Sequence, residues 1–134
     1  MPPGDEPSDD ASIGDELEVL RRVPPGEYKA NGVPNSNNFD LDGDGNGTSV
    51  VLWLEQEADL QRVRAGHEDY GVVALTVGVW RAHGLKIAKS ELPGNPNHCE
   101  VWGVRSTSTK RKLAKAARWV HYPEGFPAEL QNEP

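Results

Sequence analysis

The chain has 134 residues, 21 of them acidic and 14 basic, a formal net charge of −7, with modest apolar content and frequent Gly and Pro. That length suits one domain with a real core, and no apolar run approaches the roughly 20 residues needed to cross a bilayer. A single cysteine excludes an internal disulfide, which fits a reducing compartment; with no signal-peptide pattern at the N-terminus, a cytoplasmic protein with no membrane partner is expected.

The charge is uneven. Asp5, Glu6, Asp9, Asp10, Asp15, Glu16 and Glu18 fall in the first twenty residues, which hold no Lys or Arg. That stretch alone accounts for the excess, so the remainder is close to neutral and an anionic partner is not excluded. Residues 1–14 have little to bury and read as a disordered acidic tail. The domain is expected over residues 15–122, with a C-terminal extension over 123–134.

Residues 15–22 pattern as a short helix with Leu17, Leu20 and Val23 on its buried edge, ended by Pro24-Pro25. Residues 24–38 are dominated by Gly, Pro, Asn and Ser and read as loop. The apolar, β-branched run 49–54 predicts a buried strand. A helix is expected from Glu55 to Arg64, its early acids and later arginines suiting the helix dipole. A second strong strand covers 71–77. Thr76 then caps a short helix, Val77 to His83, stopped by Gly84. Further strands are expected at 85–88 and 98–104, and a last helix from about Thr109 to Val120 with Lys110, Arg111, Lys112, Lys115 and Arg118 on its polar side. The sum is a single small α+β domain with a mixed or antiparallel sheet of about four strands and two to four helices.

The stretch Leu92 to Gly103 carries the most chemistry. Pro93, Gly94, Asn95 and Pro96 make a stiff turn that delivers His98, Cys99 and Glu100 onto a strand. Alternation puts His98, Glu100 and Trp102 on one face and Cys99 and Val101 on the other. His98 and Glu100 are candidate catalytic residues, an acid/base with an orienting carboxylate. Cys99 faces away and reads as a buried structural residue. If the strands adjoin, Asn35, Ser36, Ser49 and Arg81 converge with His98 as a substrate pocket. Arg would hold a phosphate, and Asn and Ser would supply hydrogen bonds. Against this stand a plain ion pair for Arg81 and turn-capping for Asn35 and Ser36.

Asp40-x-Asp42-x-Asp44-Gly45 matches the first half of a calcium loop, in which alternate carboxylates converge on one ion. The twelfth position, where an EF-hand needs a bidentate Glu, is Val51. Asp40, Asp42 and Asp44 therefore stand as a looser candidate Ca²⁺ site, set against a plain solvated turn. The basic last helix is a candidate contact for nucleic acid, set against a solvated face. The sequence contains no Walker loop, G-x-G-x-x-G or G-x-S-x-G motif.

Ser36 to Phe39, Ser49-Val50, Gly71-Val72, Arg81 with Gly84-Leu85, and Pro93-Gly94-Asn95-Pro96-Asn97-His98 through Gly103 together resemble an uncharacterised family of small bacterial proteins. The resemblance covers about residues 20–120, and its most specific part is the Asn-Pro-x-His segment. It implies no established activity. It does imply that Ser36, Arg81 and His98 are the positions to test first. The Asp40–Gly47 connection is longer than the family's, and the acidic tail is particular to this chain.

Two functions are expected on these grounds. One is an effector-type enzyme acting on a nucleotide, nucleic acid or phosphorylated substrate through a His/Arg/Ser pocket. The other is a non-catalytic binding module for a larger protein partner.

Overall fold

A computed structural model describes residues 7–42 and 47–131. Six strands, β1 (Glu18–Val23), β2 (Thr48–Leu52), β3 (Gly71–Thr76), β4 (Lys86–Lys89), β5 (His98–Trp102) and β6 (Arg118–His121), form one sheet in the order β4-β5-β2-β1-β3-β6. Every pairing is antiparallel. Three helices accompany it, α1 (Gln56–Arg64), α2 (Val77–Ala82) and α3 (Thr107–Ala116), with short 3₁₀ turns at Ser36–Phe39 and Ala128–Leu130. The domain is α+β, and no described helix is long and apolar enough to cross a membrane.

The sheet has six strands where about four are expected, and both additions come from segments read as helix. Residues 15–22 do not form a helix: Glu18–Val23 is β1, at the centre of the sheet. Val19 and Leu20 pair with Leu52 and Val51 on one side, and the whole strand pairs with β3 on the other. Ladder bonds on both edges outweigh a weak local helix pattern. The last helix ends at Ala116, and Arg118–His121 turns back as β6 beside β3. Trp119 and Val120 are better strand than helix residues.

Alternation along the strands builds two cores. On one face Val19, Val50, Leu52, Val73, Leu75, Ile87, Cys99 and Val101 pack with Val77 and Trp80 of α2, Leu113 and Ala114 of α3, and Phe39. On the other, Leu20, Val51, Val72 and Ala74 pack against Val63 of α1. The Thr76 hydroxyl accepts from the Val79 amide, capping α2 as its sequence predicts. Ser106 caps α3 in the same way.

Residues 7–14 do not behave as a free tail. Ile13 is buried in the larger core. The Asp10 amide donates to the Ile87 carbonyl, and the Ile87 amide donates to the Asp9 carboxylate, so this segment covers the outer edge of β4. The Asp9 carboxylate, one of the acids that suggest disorder, docks it by accepting from Arg81 and from the Ile87 amide, while residues 1–6 of the expected tail lie outside the described residues. At the other end of the chain Phe126 is buried and packs against Tyr28, Trp119 and Tyr122.

Candidate functional site

Ser49 near the start of β2 and His98 at the start of β5 meet on the α1 face of the sheet. The register places Ser49 opposite Glu100 and Val51 opposite His98. Ser49 Oγ lies 2.5 Å from His98 Nε2. The other ring nitrogen, Nδ1, lies 2.7 Å from the Ser90 carbonyl oxygen. A carbonyl only accepts, so Nδ1 carries the proton, Nε2 of the neutral ring is the acceptor, and the Ser49 hydroxyl donates to it. A hydroxyl, a base and a group orienting the base are thus aligned.

The stiff turn before β5 makes this alignment. Leu92 and Asn95 exchange backbone hydrogen bonds of 3.2 and 2.9 Å. Gly94 takes a φ of +73°, which side chains disfavour. The turn folds β4 back on β5, the Ser90 amide donates to the His98 carbonyl at 2.9 Å, and the Ser90 carbonyl is brought to the ring. On the other flank, Gly47 leaves room for the β5 side chains. A Cβ there would sit 2.8 Å from Trp102 Cε2 and 2.9 Å from Glu100 Cβ.

His98 is only 7 % exposed, while Ser49 is half-buried. Around them is a crevice of about 20 Å³, lined by Arg21, Arg22, Ser49, Val51, Asn95 and His98 among others. That is room for one water. Asn95 Oδ1 is buried with no hydrogen-bond partner among the described residues. A second cavity, of about 230 Å³, is lined by Arg21, Arg22, Pro24, Asn37, Asn38, Asp42 and Tyr70. The two share both arginines as walls.

These neighbouring arginines differ. Arg21 uses four of its five donors: its guanidinium donates to the Asn38 carbonyl at 3.0 Å, the Ser49 carbonyl at 2.9 Å and both Asp42 oxygens at 2.8 and 3.1 Å. Arg22 donates once, to the Val63 carbonyl in the last turn of α1 at 3.2 Å, and has no ion pair among the described residues. Burial, and secondarily the charge of Arg21, holds the Arg22 pKa below its ordinary value.

The other predicted site residues are not gathered here. Arg81 lies on α2, across the sheet from His98. Its guanidinium contacts Asp15 at 2.6 Å, the Ile13 carbonyl at 2.7 Å, the Asp10 carbonyl at 2.9 Å and Asp9 at 3.2 Å. Its fork is filled by the N-terminal segment. Asn35 and Ser36 open the 3₁₀ turn that packs against α3. The Asn35 carbonyl accepts from the Asn38 side chain at 2.9 Å. Of the five residues expected to converge, the structure joins Ser49 and His98 alone. Glu100 shares their face but makes no hydrogen bond to His98 among the described residues, and the Ser90 carbonyl occupies the orienting role.

Asp44 lies outside the described residues. Asp40 and Asp42 already face protein cations: Lys110 Nζ is 3.0 Å from Asp40, and Arg21 grips Asp42, which also accepts from the Ser49 amide at 2.9 Å. Among the described residues no group of three or more His, Cys, Asp or Glu is placed to hold a metal ion. Asp42 thus contributes to the site by fixing Arg21 and the backbone of Ser49. Burial pushes the Cys99 thiol up to about 12, consistent with an inert core residue.

Arg22, Tyr70 and the Ser90 carbonyl are the parts that sequence reading does not find. Arg22 sits in a segment patterned as helix, and a carbonyl's reach leaves no mark in residue types. The Arg21-Arg22 pair beside two prolines was the available signal.

Comparison with protein-family models, with curated proteins and with solved structures gives no match for this chain.

Proposed function

We propose that this domain is a small enzyme acting on a phosphorylated or other anionic substrate, with His98 as the base and Ser49 as the hydroxyl it activates. The observation that supports this is the Ser90–His98–Ser49 line: one ring nitrogen is held by a carbonyl and the other accepts the serine proton. As Ser49 Oγ bonds to phosphorus, the proton passes to Nε2. The bond to the leaving oxygen breaks, and His98 returns the proton to that oxygen. Water then enters by the reverse use of the same base.

The test is turnover of p-nitrophenyl phosphate, bis-p-nitrophenyl phosphate and nucleotides by the purified chain. Ser49→Ala and His98→Gln are each expected to lower turnover by about 10²-fold or more while the fold persists, in the range seen for loss of a general base. Wild-type turnover no faster than these variants would reject the enzyme reading.

A second reading is favoured by one observation. The crevice has room for a single water only, which suits a cross-strand hydrogen bond that merely pins β2 to β5. The chain would then be a binding module for a larger protein. In that case Ser49→Ala lowers stability and alters no rate. Of the contact surfaces such a module would offer, the β4 edge is covered by residues 9–10. The α3 side chains Arg111, Lys112 and Lys115 are exposed.

A further inference from the structure

We infer that the cavity walled by Arg22 and Tyr70 is a subsite for a single phosphoryl group, the terminal group of a phosphomonoester, with Arg22 as its ligand. This rests on the enzyme reading only for its purpose; the binding itself is independent of Ser49 and His98.

The charges facing the cavity support it. Asp42 is the one acid in its lining, and each of its oxygens is held by Arg21. Those two charges cancel, leaving Arg22 as the net positive charge. The Asn37 side chain donates to Glu27, and the Asn38 side chain donates to the Glu27 and Asn35 carbonyls. The donors left for a guest are the rest of the Arg22 fork, the Tyr70 hydroxyl, which makes no hydrogen bond among the described residues, and one remaining N–H each on Arg21 Nη2 and Asn37 Nδ2. A half-buried guanidinium with one carbonyl for company is costly unless an anion joins it. The fork matches two oxygens of a phosphate at once.

Size narrows the guest. About 230 Å³ is below the range of roughly 300–1,000 Å³ that encloses a drug-sized ligand. The cavity takes a headgroup and leaves the remainder of the molecule outside. One unpaired cation suits one phosphate; a nucleic-acid backbone is held by a row of them. Shared walls with the Ser49–His98 crevice put that phosphate beside the proposed nucleophile.

The experiment is a titration of the ¹⁵N-labelled chain with inorganic phosphate in about 150 mM NaCl, where diffuse surface attraction is screened. Acetate serves as a carboxylate control. The wild type is expected to show saturable shifts centred on the Arg22 Nε–H and on residues of the cavity wall. Arg22→Gln is expected to weaken binding by about tenfold or more, as for loss of a charge-assisted bidentate contact, and His98→Gln is expected to leave it unchanged. Should Arg22→Gln not fold, the wild-type titration still decides the matter. Shifts that do not saturate, that centre elsewhere, or that acetate reproduces equally would overturn the phosphate subsite. Phosphate binding without turnover would reject the enzyme reading and leave the subsite standing.

Discussion

His98 and Ser49 show what a strand pattern carries and what it omits. Alternation alone separates His98 from Cys99 and so discards a Cys–His pair before any coordinates are seen. It cannot identify the partner of His98, because that depends on register: a slip of one residue between β2 and β5 would turn Ser49 away. Ser49→Ala removes the donor to a buried nitrogen and is expected to cost about 1–3 kcal/mol, read from urea unfolding. Asp59 is a second residue whose role is hidden until the fold is seen. It is fully buried inside α1 and accepts from the Leu54 and Glu55 amides, Arg62 and Asn97. Burial is the largest influence on its pKa and acts to raise it. The hydrogen bonds from Glu55, Arg62, Asn97 and Leu54 together outweigh burial and hold the carboxyl below its ordinary value. A carboxyl lowered on folding contributes fully above its unfolded pKa, about 4, and loses that contribution as pH falls through the folded value. Stability is expected to drop below about pH 4 in the wild type. Asp59→Asn should flatten that drop while costing about 2–4 kcal/mol at pH 7. An unchanged acid limb in urea titrations at stepped pH would refute this role.

At the level of elements, the residue-type signals succeed where local chemistry decides and fail where partners decide. Thr76 and Ser106 each accept a backbone hydrogen bond at the start of a helix, and a cap is legible in three or four residues. β1 is not legible in that way. Its Leu17, Leu20 and Val23 spacing suits a helix, and Leu20 and Val23 are buried, but Val19 is buried as well, a pattern imposed by β2 and β3. The connection into β2 depends on Gly47. Adding a methyl there forces Trp102 or the Glu100 stem to move, and Gly47→Ala is expected to cost about 1–3 kcal/mol as an overpacked site, measured by thermal melting with Gly94→Ala for comparison. The N-terminal segment takes most of its side-chain hydrogen bonds from one residue of another element, beside its contacts with Ile87 and the burial of Ile13. Four hydrogen bonds run from Arg81 to residues 9–15. Arg81→Ala should release this segment, seen as faster proteolysis ahead of β1 with the remaining domain intact. Cleavage at the wild-type rate would show that Ile13 and the β4 edge suffice without it.

For the molecule as a whole, fold class is readable from the alternation of apolar runs and turns, whereas sheet order is not, since it depends on contacts between distant segments. The candidate site divides in the same way. Ser49 and His98 are nameable from the sequence; the expectation that Arg81, Asn35 and Ser36 join them fails because α2 and the 3₁₀ turn pack on the opposite face. Calcium belongs to this scale because a bound ion stabilises the entire native state. With Asp40 on Lys110 and Asp42 on Arg21, millimolar Ca²⁺ is expected to leave the melting temperature unchanged. A rise of several degrees would restore the aspartate loop as an ion site.

The central position of β1 has a kinetic consequence. Both of its edges are bare until segments 48–52 and 71–76 arrive, and every later strand attaches outside that trio. β1 and β2 are consecutive strands that pair, but the connection between them runs from residue 24 to residue 47, so no tight hairpin can nucleate the middle of the sheet and a long loop must close first. Topologies ruled by such distant pairings fold in milliseconds to seconds, and their unpaired strands are open to other chains meanwhile. Refolding yield that falls steeply with protein concentration is the behaviour this arrangement leads one to expect.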